Sequence, residues 1–247
     1  MSKNEFLQFK KLKKFSHLTA AVFPRSFGNV SYKYGLKKEV LKNRQKIAKS
    51  LKINLNQIIE MDQVHGSQVK IIKTVKSIIK PIASTDGLVT NKRNVFLMVK
   101  TADCLPVFFY DPKNKVIAMV HLGWRGAIEK IFLETLFLMA TEFNSNLKDI
   151  IVALGPGIKA CCFRHRSLVQ SKLPEWKDFI KKERNGLVSL DLSSFLVSKL
   201  QSLGIKRDNI EVNEICTCCS KNYFSHFREL KNKEKKGRFA SLIGLRE

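Results

Sequence analysis

Two histidines and one cysteine stand beside apolar stretches of this 247-residue sequence and have the chemistry of a metal site. Cys104 follows the apolar residues 95–99, and His121 follows the apolar residues 116–120. His65 lies upstream, next to a glycine, just before another strand-like stretch. Two imidazoles and one thiolate are ligands that zinc accepts, with water or substrate in the fourth position of an open site.

The elements around these residues predict that they approach one another. Apolar runs bounded by turn residues are typical of buried strands, and residues 95–99, 107–110 and 116–120 fit this description. Residues 111–114, Asp-Pro-Lys-Asn, predict the turn between the last two strands. A chain that folds back there would bring Cys104 toward His121. The gaps of about 39 and 17 residues between the three candidates are unlike those of a zinc finger.

The cysteines leave two other interpretations open. Cys104 could act as a nucleophile with His121 as its base and no metal. Alternatively, a four-cysteine zinc site could form from the pair Cys161-Cys162 and the C-x-x-C spacing of Cys216 and Cys219. Adjacent thiols do not easily supply two ligands of one tetrahedron, so the sequence favours buried loop packing for these cysteines.

The composition is strongly basic, with a formal net charge of +24 and a pI of about 9.9. The lysines are scattered and accompany no nucleic-acid-binding motif, so we expect a solvated lysine-rich surface and no specific nucleic acid partner. An anionic substrate would still benefit from the positive field. A non-enzymatic RNA- or partner-binding protein with a vestigial site is the alternative hypothesis.

The remaining composition predicts a reduced, cytoplasmic protein. The six cysteines include one adjacent pair and three crowded between positions 216 and 219, unlike an extracellular disulfide framework. The N-terminal residues do not resemble a secretory signal, and no run of about 18 apolar residues predicts a membrane span. The sequence does not indicate an oligomeric state.

Alternating strand and helix patterns predict an α+β (α/β) protein with mixed β-sheets in one domain over residues 1–247. Predicted helices cover residues 38–51, 127–143 and 193–203; further predicted strands cover residues 69–75, 149–154, 210–212 and 239–245.

Two charged residues near the candidate site have alternative interpretations. The helix predicted to begin after Gly126 would direct free N–H groups at an anion such as phosphate, and Arg125 would add a fixed cation unless it forms a surface salt bridge. Asp86 precedes Gly87, which favours a tight turn; the alternative is a carboxylate that supports a ligand imidazole.

The motifs together resemble the family once called multicopper polyphenol oxidoreductases or laccase-domain proteins. They occur in order over nearly the whole chain: Gln63-Val64-His65-Gly66, Thr101-Ala102-Asp103-Cys104-Leu105-Pro106-Val107, His121-Leu122-Gly123-Trp124-Arg125-Gly126, Gly155-Pro156-Gly157 with Cys161-Cys162, and Cys216-Thr217-Cys218-Cys219 with Phe224-Ser225-His226 and Gly237-Arg238. The resemblance implies a single-domain layered α/β/β/α sandwich. It also implies a Zn²⁺ ion held by His65, Cys104 and His121.

The same resemblance implies purine nucleosides and phosphate as small-molecule substrates. The expected reactions are phosphorolysis of adenosine, inosine and S-methyl-5′-thioadenosine, and deamination of adenosine; hydrolytic editing of a peptidoglycan precursor is the alternative. Cys104, His121 and Asp103 are the candidate catalytic residues, with Asp103 the nearest motif carboxylate for moving a proton. A copper laccase is disfavoured because a multicopper cluster needs about ten histidines and the chain has 5.

Substrate-binding candidates come from three other positions in the motifs. Arg125 would hold phosphate, and Arg25 lies in a loop where the family has a threonine-arginine turn. Gly155 begins a loop whose exposed backbone could approach a ligand closely.

Overall fold

The computed structural model describes residues 5–74 and 80–247. Its helices are α1 (Lys37–Leu51), α2 (Trp124–Ile128), α3 (Ile131–Phe143), α4 (Leu192–Ser202) and α5 (His226–Asn232). Its strands are β1 (Leu7–Gln8), β2 (Leu18–Val22), β3 (Ile58–Glu60), β4 (Val69–Ile71), β5 (Gly87–Thr90), β6 (Val95–Thr101), β7 (Leu105–Asp111), β8 (Val116–Leu122), β9 (Ile151–Leu154), β10 (Arg164–His165), β11 (Ile180–Lys182), β12 (Val188–Leu190), β13 (Ile210–Val212) and β14 (Phe239–Leu245).

The strands form two large sheets and one small one. The five-stranded sheet has the order β1-β2-β14-β6-β3, and the six-stranded sheet has the order β13-β9-β7-β8-β5-β4. Both sheets are mixed, because β3 runs parallel to β6 in the first, while β4 and β13 each run parallel to a neighbour in the second. The strands β10, β12 and β11 form a separate three-stranded sheet in that order.

The continuous apolar run of β6 is explained by burial of both its faces. Leu97 and Val99 belong to the apolar cluster between the two large sheets, whereas Phe96 and Met98 belong to a second cluster with Ile47 of α1. A strand covered on both sides has no solvent face and therefore shows no apolar-polar alternation.

Helices cover the outer faces of both sheets. Residues of α3 and α4 pack with β7, β8 and β9 on the six-stranded sheet, while α1 covers the five-stranded one. The layer order is therefore helix, sheet, sheet, helix, which confirms the expected α/β/β/α sandwich. Within the described residues, no helix combines the length and apolar character needed to span a bilayer.

The hairpin of β7 and β8 confirms that the chain folds back around the candidate site. Its turn is closed by the Asp111 carboxylate, which accepts hydrogen bonds from the backbone N–H groups of Lys113 and Asn114 at 2.9 and 3.2 Å. The register pairs Pro106 with His121. Cys104, one residue before β7, is thereby brought to the His121 end of β8.

The single helix predicted over residues 127–143 is wrong. The chain forms the short α2 and then α3, and Lys130 between them has the left-handed backbone conformation, with φ of 60°. Such a position favours glycine or asparagine, so the lysine found here does not indicate that a helix ends.

Most other predicted elements are found within two residues of their expected ends. These are the helices at 38–51 and 193–203 and the strands at 149–154, 210–212 and 239–245. The strand predicted at residues 69–75 is observed as the shorter β4, and Val75 lies outside the described residues.

Candidate active site

Three elements bring His65, Cys104 and His121 together. His65 lies in the loop between β3 and β4, Cys104 in the segment that crosses from β6 of one sheet to β7 of the other, and His121 in β8. One donor atom from each residue lies within 4.8 Å of the others. The two imidazole centroids are 4.7 Å apart at an interplanar angle of 76°. This arrangement could hold one metal ion.

Asp86 orients the two histidines of this cluster. Its Oδ1 lies 2.7 Å from His121 Nδ1, so the Nε2 side of that ring remains for the cluster. The same carboxylate accepts hydrogen bonds from the backbone N–H groups of Val64, His65 and Gly66 at 3.1, 3.1 and 2.8 Å. Asp86 thus fixes one imidazole directly and the other through its backbone.

The preferred turn interpretation of Asp86 is therefore wrong. The turn lies at residues 83–84, where Ser84 has φ of 48°, and Asp86 is fully buried beyond it. Burial raises the pKa of this carboxyl group, but the hydrogen bond and charge of His121 and the backbone N–H groups outweigh burial and lower it. The carboxylate form is therefore the one the site stabilises.

The electrostatics of the cluster favour a thiolate. Burial raises the pKa of Cys104, but the charge of His121 and hydrogen bonds with both imidazoles overcome this and lower it from 9.0 to about 6. Burial lowers the pKa of His121, and the Cys104 and Asp86 charges overcome this and raise it to about 9. A thiolate is the form of cysteine that binds metals and the form that attacks electrophiles.

Gly123 leaves the space that the cluster needs. A Cβ atom at this position would lie 3.2 Å from Cys104 Sγ and 3.3 Å from His65 Cδ2. The next glycine, Gly126, is equally confined, because its Cβ would lie 2.9 Å from the carbonyl oxygen of Gly66. Sequence reasoning missed both roles, although a glycine beside a candidate ligand is the available sign of close packing.

Arg125 offers a cation two residues after Gly123, which packs against the cluster. Its side chain is exposed, and the guanidinium lies 4.9 Å from the centroid of the Trp124 ring. Among residues 5–74 and 80–247 it forms no ion pair, so the salt-bridge alternative finds no support there. Arg125 lies in α2, which has only 5 residues. So short a helix has a weak dipole, whereas the long helix predicted here would have favoured an anion at its start.

Asp103 is held by the C-terminal part of the chain. Thr217 Oγ1 donates to Asp103 Oδ1 at 2.6 Å, while Ser225 Oγ and the Phe227 backbone N–H donate to Oδ2 at 3.0 and 2.8 Å. The side chain is buried, and its backbone φ is 90°. These bonds fix the backbone immediately before Cys104.

A family comparison agrees with the resemblance that the motifs indicate. The model of the multi-copper polyphenol oxidoreductase laccase family matches residues 24–246. The chain belongs to this laccase family.

Relatives and solved structures support the same conclusion. The purine nucleoside phosphorylase YlmD of Bacillus subtilis is 30% identical over 220 residues, covering 85% of this chain and 78% of YlmD. A purine nucleoside phosphorylase of Clostridium acetobutylicum is 38% identical over 168 residues, covering 66% of this chain and 68% of that protein. The crystal structure of Geobacillus stearothermophilus YlmD has a TM-score of 0.84, 26% identity, and coverage of 98% of this chain and 99% of the other.

Two further candidate residues of this laccase-family chain are engaged elsewhere. Arg25 Nη1 lies 3.0 Å from Glu234 Oε2, and its guanidinium lies 5.1 Å from the Phe224 ring centroid. Gly155 is buried, and a Cβ there would lie 2.7 Å from Pro106 Cγ, so the expectation of an exposed backbone is wrong. Gly155 therefore has a packing role against β7, and the charge of Arg25 is compensated.

The four cysteines of the alternative zinc site lie close together and are not all buried. Cys161, Cys162, Cys216 and Cys219 each place a sulfur within 4.8 Å of the others. Cys161 and Cys219 are exposed and only Cys216 is buried, so the expectation of buried loop packing is wrong.

Proposed function

We propose that this laccase-family chain is a zinc-dependent purine nucleoside enzyme. Its reactions are phosphorolysis of adenosine, inosine and S-methyl-5′-thioadenosine, and deamination of adenosine. The observation that carries the proposal is a centre with only three protein donors, His65, Cys104 and His121, on a partly exposed rim. The names of the relatives, purine nucleoside phosphorylases, supply the substrate class.

The donor set fits zinc. Two imidazole nitrogens and one thiolate sulfur suit this ion, and the Asp86 contact to His121 is the outer support that zinc-binding imidazoles normally have. His65 is exposed and Cys104 partly exposed, so solvent reaches the edge of the cluster. When bound, zinc would supply Lewis-acid polarisation of an oxygen or a nitrogen on the substrate.

Arg125 is assigned to the phosphate. In phosphorolysis a phosphate oxygen forms a bond to C1′ of the ribose while the bond from C1′ to the purine nitrogen breaks, and its electron pair leaves with the base. An exposed guanidinium can donate two parallel N–H hydrogen bonds to a phosphate. Within the described residues, Arg125 forms no ion pair with an acidic side chain that would compete with phosphate for these donors.

Asp103 is assigned to positioning. In deamination a water oxygen bonds to C6 of the purine and the amino group leaves as ammonia, which requires a proton carrier. Three hydrogen bonds already occupy the Asp103 carboxylate, so it is better suited to fixing Cys104 than to carrying that proton.

The test is incubation of purified protein of known zinc content with adenosine, with and without phosphate, followed by chromatography. Adenine and ribose 1-phosphate report phosphorolysis, and inosine reports deamination. We expect Cys104→Ser to lose zinc from this centre and turnover together. Arg125→Ala should raise the KM for phosphate about tenfold or more, whereas Arg184→Ala, which removes the same charge from an exposed turn, should not.

The result that contradicts the proposal is a protein with zinc bound at this centre that converts none of the three nucleosides.

The lowered pKa of Cys104, about 6, also favours a second function, a metal-free hydrolase with Cys104 as nucleophile. Metal-stripped protein separates the two. Turnover that survives chelation and is abolished by a thiol-alkylating reagent supports the nucleophile, and turnover that returns only with added zinc supports the metal enzyme.

A further inference from the structure

Four cysteine sulfurs converge outside the site described above. Cys162 Sγ lies 3.4 Å from Cys219 Sγ and 4.0 Å from Cys161 Sγ, and Cys161 Sγ lies 3.7 Å from Cys219 Sγ. Cys216 completes the group, in which all four sulfurs lie within 4.8 Å of one another. They come from two loops, one after β9 and one after β13.

These separations match the edges of a zinc-thiolate tetrahedron. Sulfurs placed about 2.3 Å from one central ion lie about 3.8 Å apart, and the three separations among Cys161, Cys162 and Cys219 run from 3.4 to 4.0 Å. A disulfide would join two sulfurs and leave the other two without a reason to approach. Convergence of all four sulfurs within 4.8 Å of one another is what a single central cation explains.

Adjacent cysteines can both contribute because they lie in a turn. Cys161 and Cys162 occupy a turn in which the Cys162 backbone N–H donates to the Lys159 carbonyl at 2.9 Å. Adjacent thiols were not expected to supply two ligands of one tetrahedron easily. Successive side chains of extended backbone point to opposite faces, whereas the sulfurs of these two residues lie 4.0 Å apart.

The second loop is fixed independently of any ion. Arg228 Nη1 donates to the carbonyl oxygens of Thr217, Cys218 and Ser220 at 2.6, 3.0 and 3.0 Å. Its Nη2 donates to the carbonyl of Tyr223 at 2.6 Å. The sulfurs are therefore presented by preorganised backbone, which lowers the entropic cost of binding.

We propose that Cys161, Cys162, Cys216 and Cys219 form a second metal site, which binds one zinc-class divalent cation through four thiolates. With four protein ligands the site is closed to substrate and structural. It cross-links the loop after β9 to the loop after β13, which otherwise meet through the Gly157–Cys216 bridge and the Thr217 N–H bond to the Gly157 carbonyl. Exposure of Cys161 and Cys219 gives the ion a path of entry.

The test counts zinc and reads the ligand type with cobalt. Metal-stripped, fully reduced full-length protein is titrated with Co²⁺ alone, and zinc content is measured separately after dialysis. We expect two ions per wild-type chain. Cys104→Ser should keep one ion with the strong sulfur-to-metal absorption of a tetrathiolate. Cys161→Ser and Cys219→Ser, both at exposed positions, should each keep one ion with the weaker absorption of a mixed nitrogen-sulfur site.

Cys218→Ser is the matched control, because Cys218 lies in the same loop but outside the group of four. It should retain both ions. The proposal is overturned if Cys104→Ser removes all bound metal from otherwise folded protein. Free thiols are also counted in protein that has not been reduced. The proposal is overturned if two thiols are missing from the wild type and the Cys219→Ser variant shows that Cys219 was half of a disulfide. Because Cys104→Ser isolates the second site, failure here is separate from failure of the nucleoside activity.

Discussion

Replacing Asp86 with asparagine tests whether its carboxylate positions the proposed zinc ligands. Oδ1 contacts His121 Nδ1 and accepts from the His65 N–H, and Oδ2 accepts from the N–H groups of Val64 and Gly66. Asparagine offers one acceptor oxygen and one NH₂ group. Either orientation therefore places a donor against two groups that need an acceptor.

Both orientations harm the site. If the NH₂ group faces Val64 and Gly66, two hydrogen bonds to a charged acceptor are lost, each worth about 1.5–3 kcal/mol, so the free energy of unfolding should fall by about 3 kcal/mol or more. If it faces His121, that imidazole must accept at Nδ1 and carry its proton on Nε2, the nitrogen needed by the metal. Zinc affinity at the three-donor centre should fall about 10–100-fold.

The assay is competition with a chromophoric chelator in a Cys219→Ser background, so that only the three-donor centre titrates. Urea denaturation of the metal-stripped protein gives the free energy of unfolding. Asp111→Asn is the matched control, because Asp111 is also fully buried and accepts backbone N–H bonds, but at the opposite end of the β7–β8 hairpin, about 20 Å away. It should lose stability and keep zinc affinity. Asp86→Asn protein that binds zinc as tightly as the wild type would refute the positioning role.

Two further substitutions test the packing and charge of the fold. Gly123→Ala should weaken zinc binding about tenfold by overpacking, because its Cβ would lie 3.2 Å from Cys104 Sγ; unchanged affinity in the same chelator assay would count against this. Glu60→Gln should lower the free energy of unfolding by about 2 kcal/mol at pH 7, since it leaves Arg44 and Lys100 without their partly buried charged partner. Burial raises the pKa of Glu60, but the Arg44 hydrogen bond and both cations lower it overall. Its stabilising contribution is therefore present above the unfolded-state pKa and disappears as the pH falls through the folded-state pKa. The difference in the free energy of unfolding between the variant and the wild type, measured by urea denaturation, should become smaller in acid. A difference that stays constant with pH would refute this.

Elements whose pattern is local were predictable from the sequence. The strands β6, β7 and β8 are apolar runs ending at turn residues, and Asp111 closes their hairpin with its own side chain. The layered fold followed from the family resemblance. The single-domain organisation over residues 1–247 stays a prediction, supported by the apolar cluster that the two large sheets share.

Features that depend on distant contacts were not predictable in the same way. The sequence around Asp86 has the pattern of a turn, and its true role follows from the pairing of Gly87 with Val120, which brings β5 beside the strand of His121. The cysteine group depends on the bridge between Gly157 and Cys216, which are far apart in the chain. Neither pairing leaves a periodic or spacing pattern in the sequence.

Asp103 links the two proposed metal centres. It precedes Cys104 in the chain, and its carboxylate accepts a hydrogen bond from Thr217, which stands between Cys216 and Cys218. Because Cys104 lies where the chain crosses from one sheet to the other, no strand pairing fixes it directly. Its backbone must therefore be held from outside the sheets. An ion that rigidifies the loop of Cys216 and Cys219 would do this through Thr217 and Asp103, giving the structural site a physical reason to lie beside the reactive one.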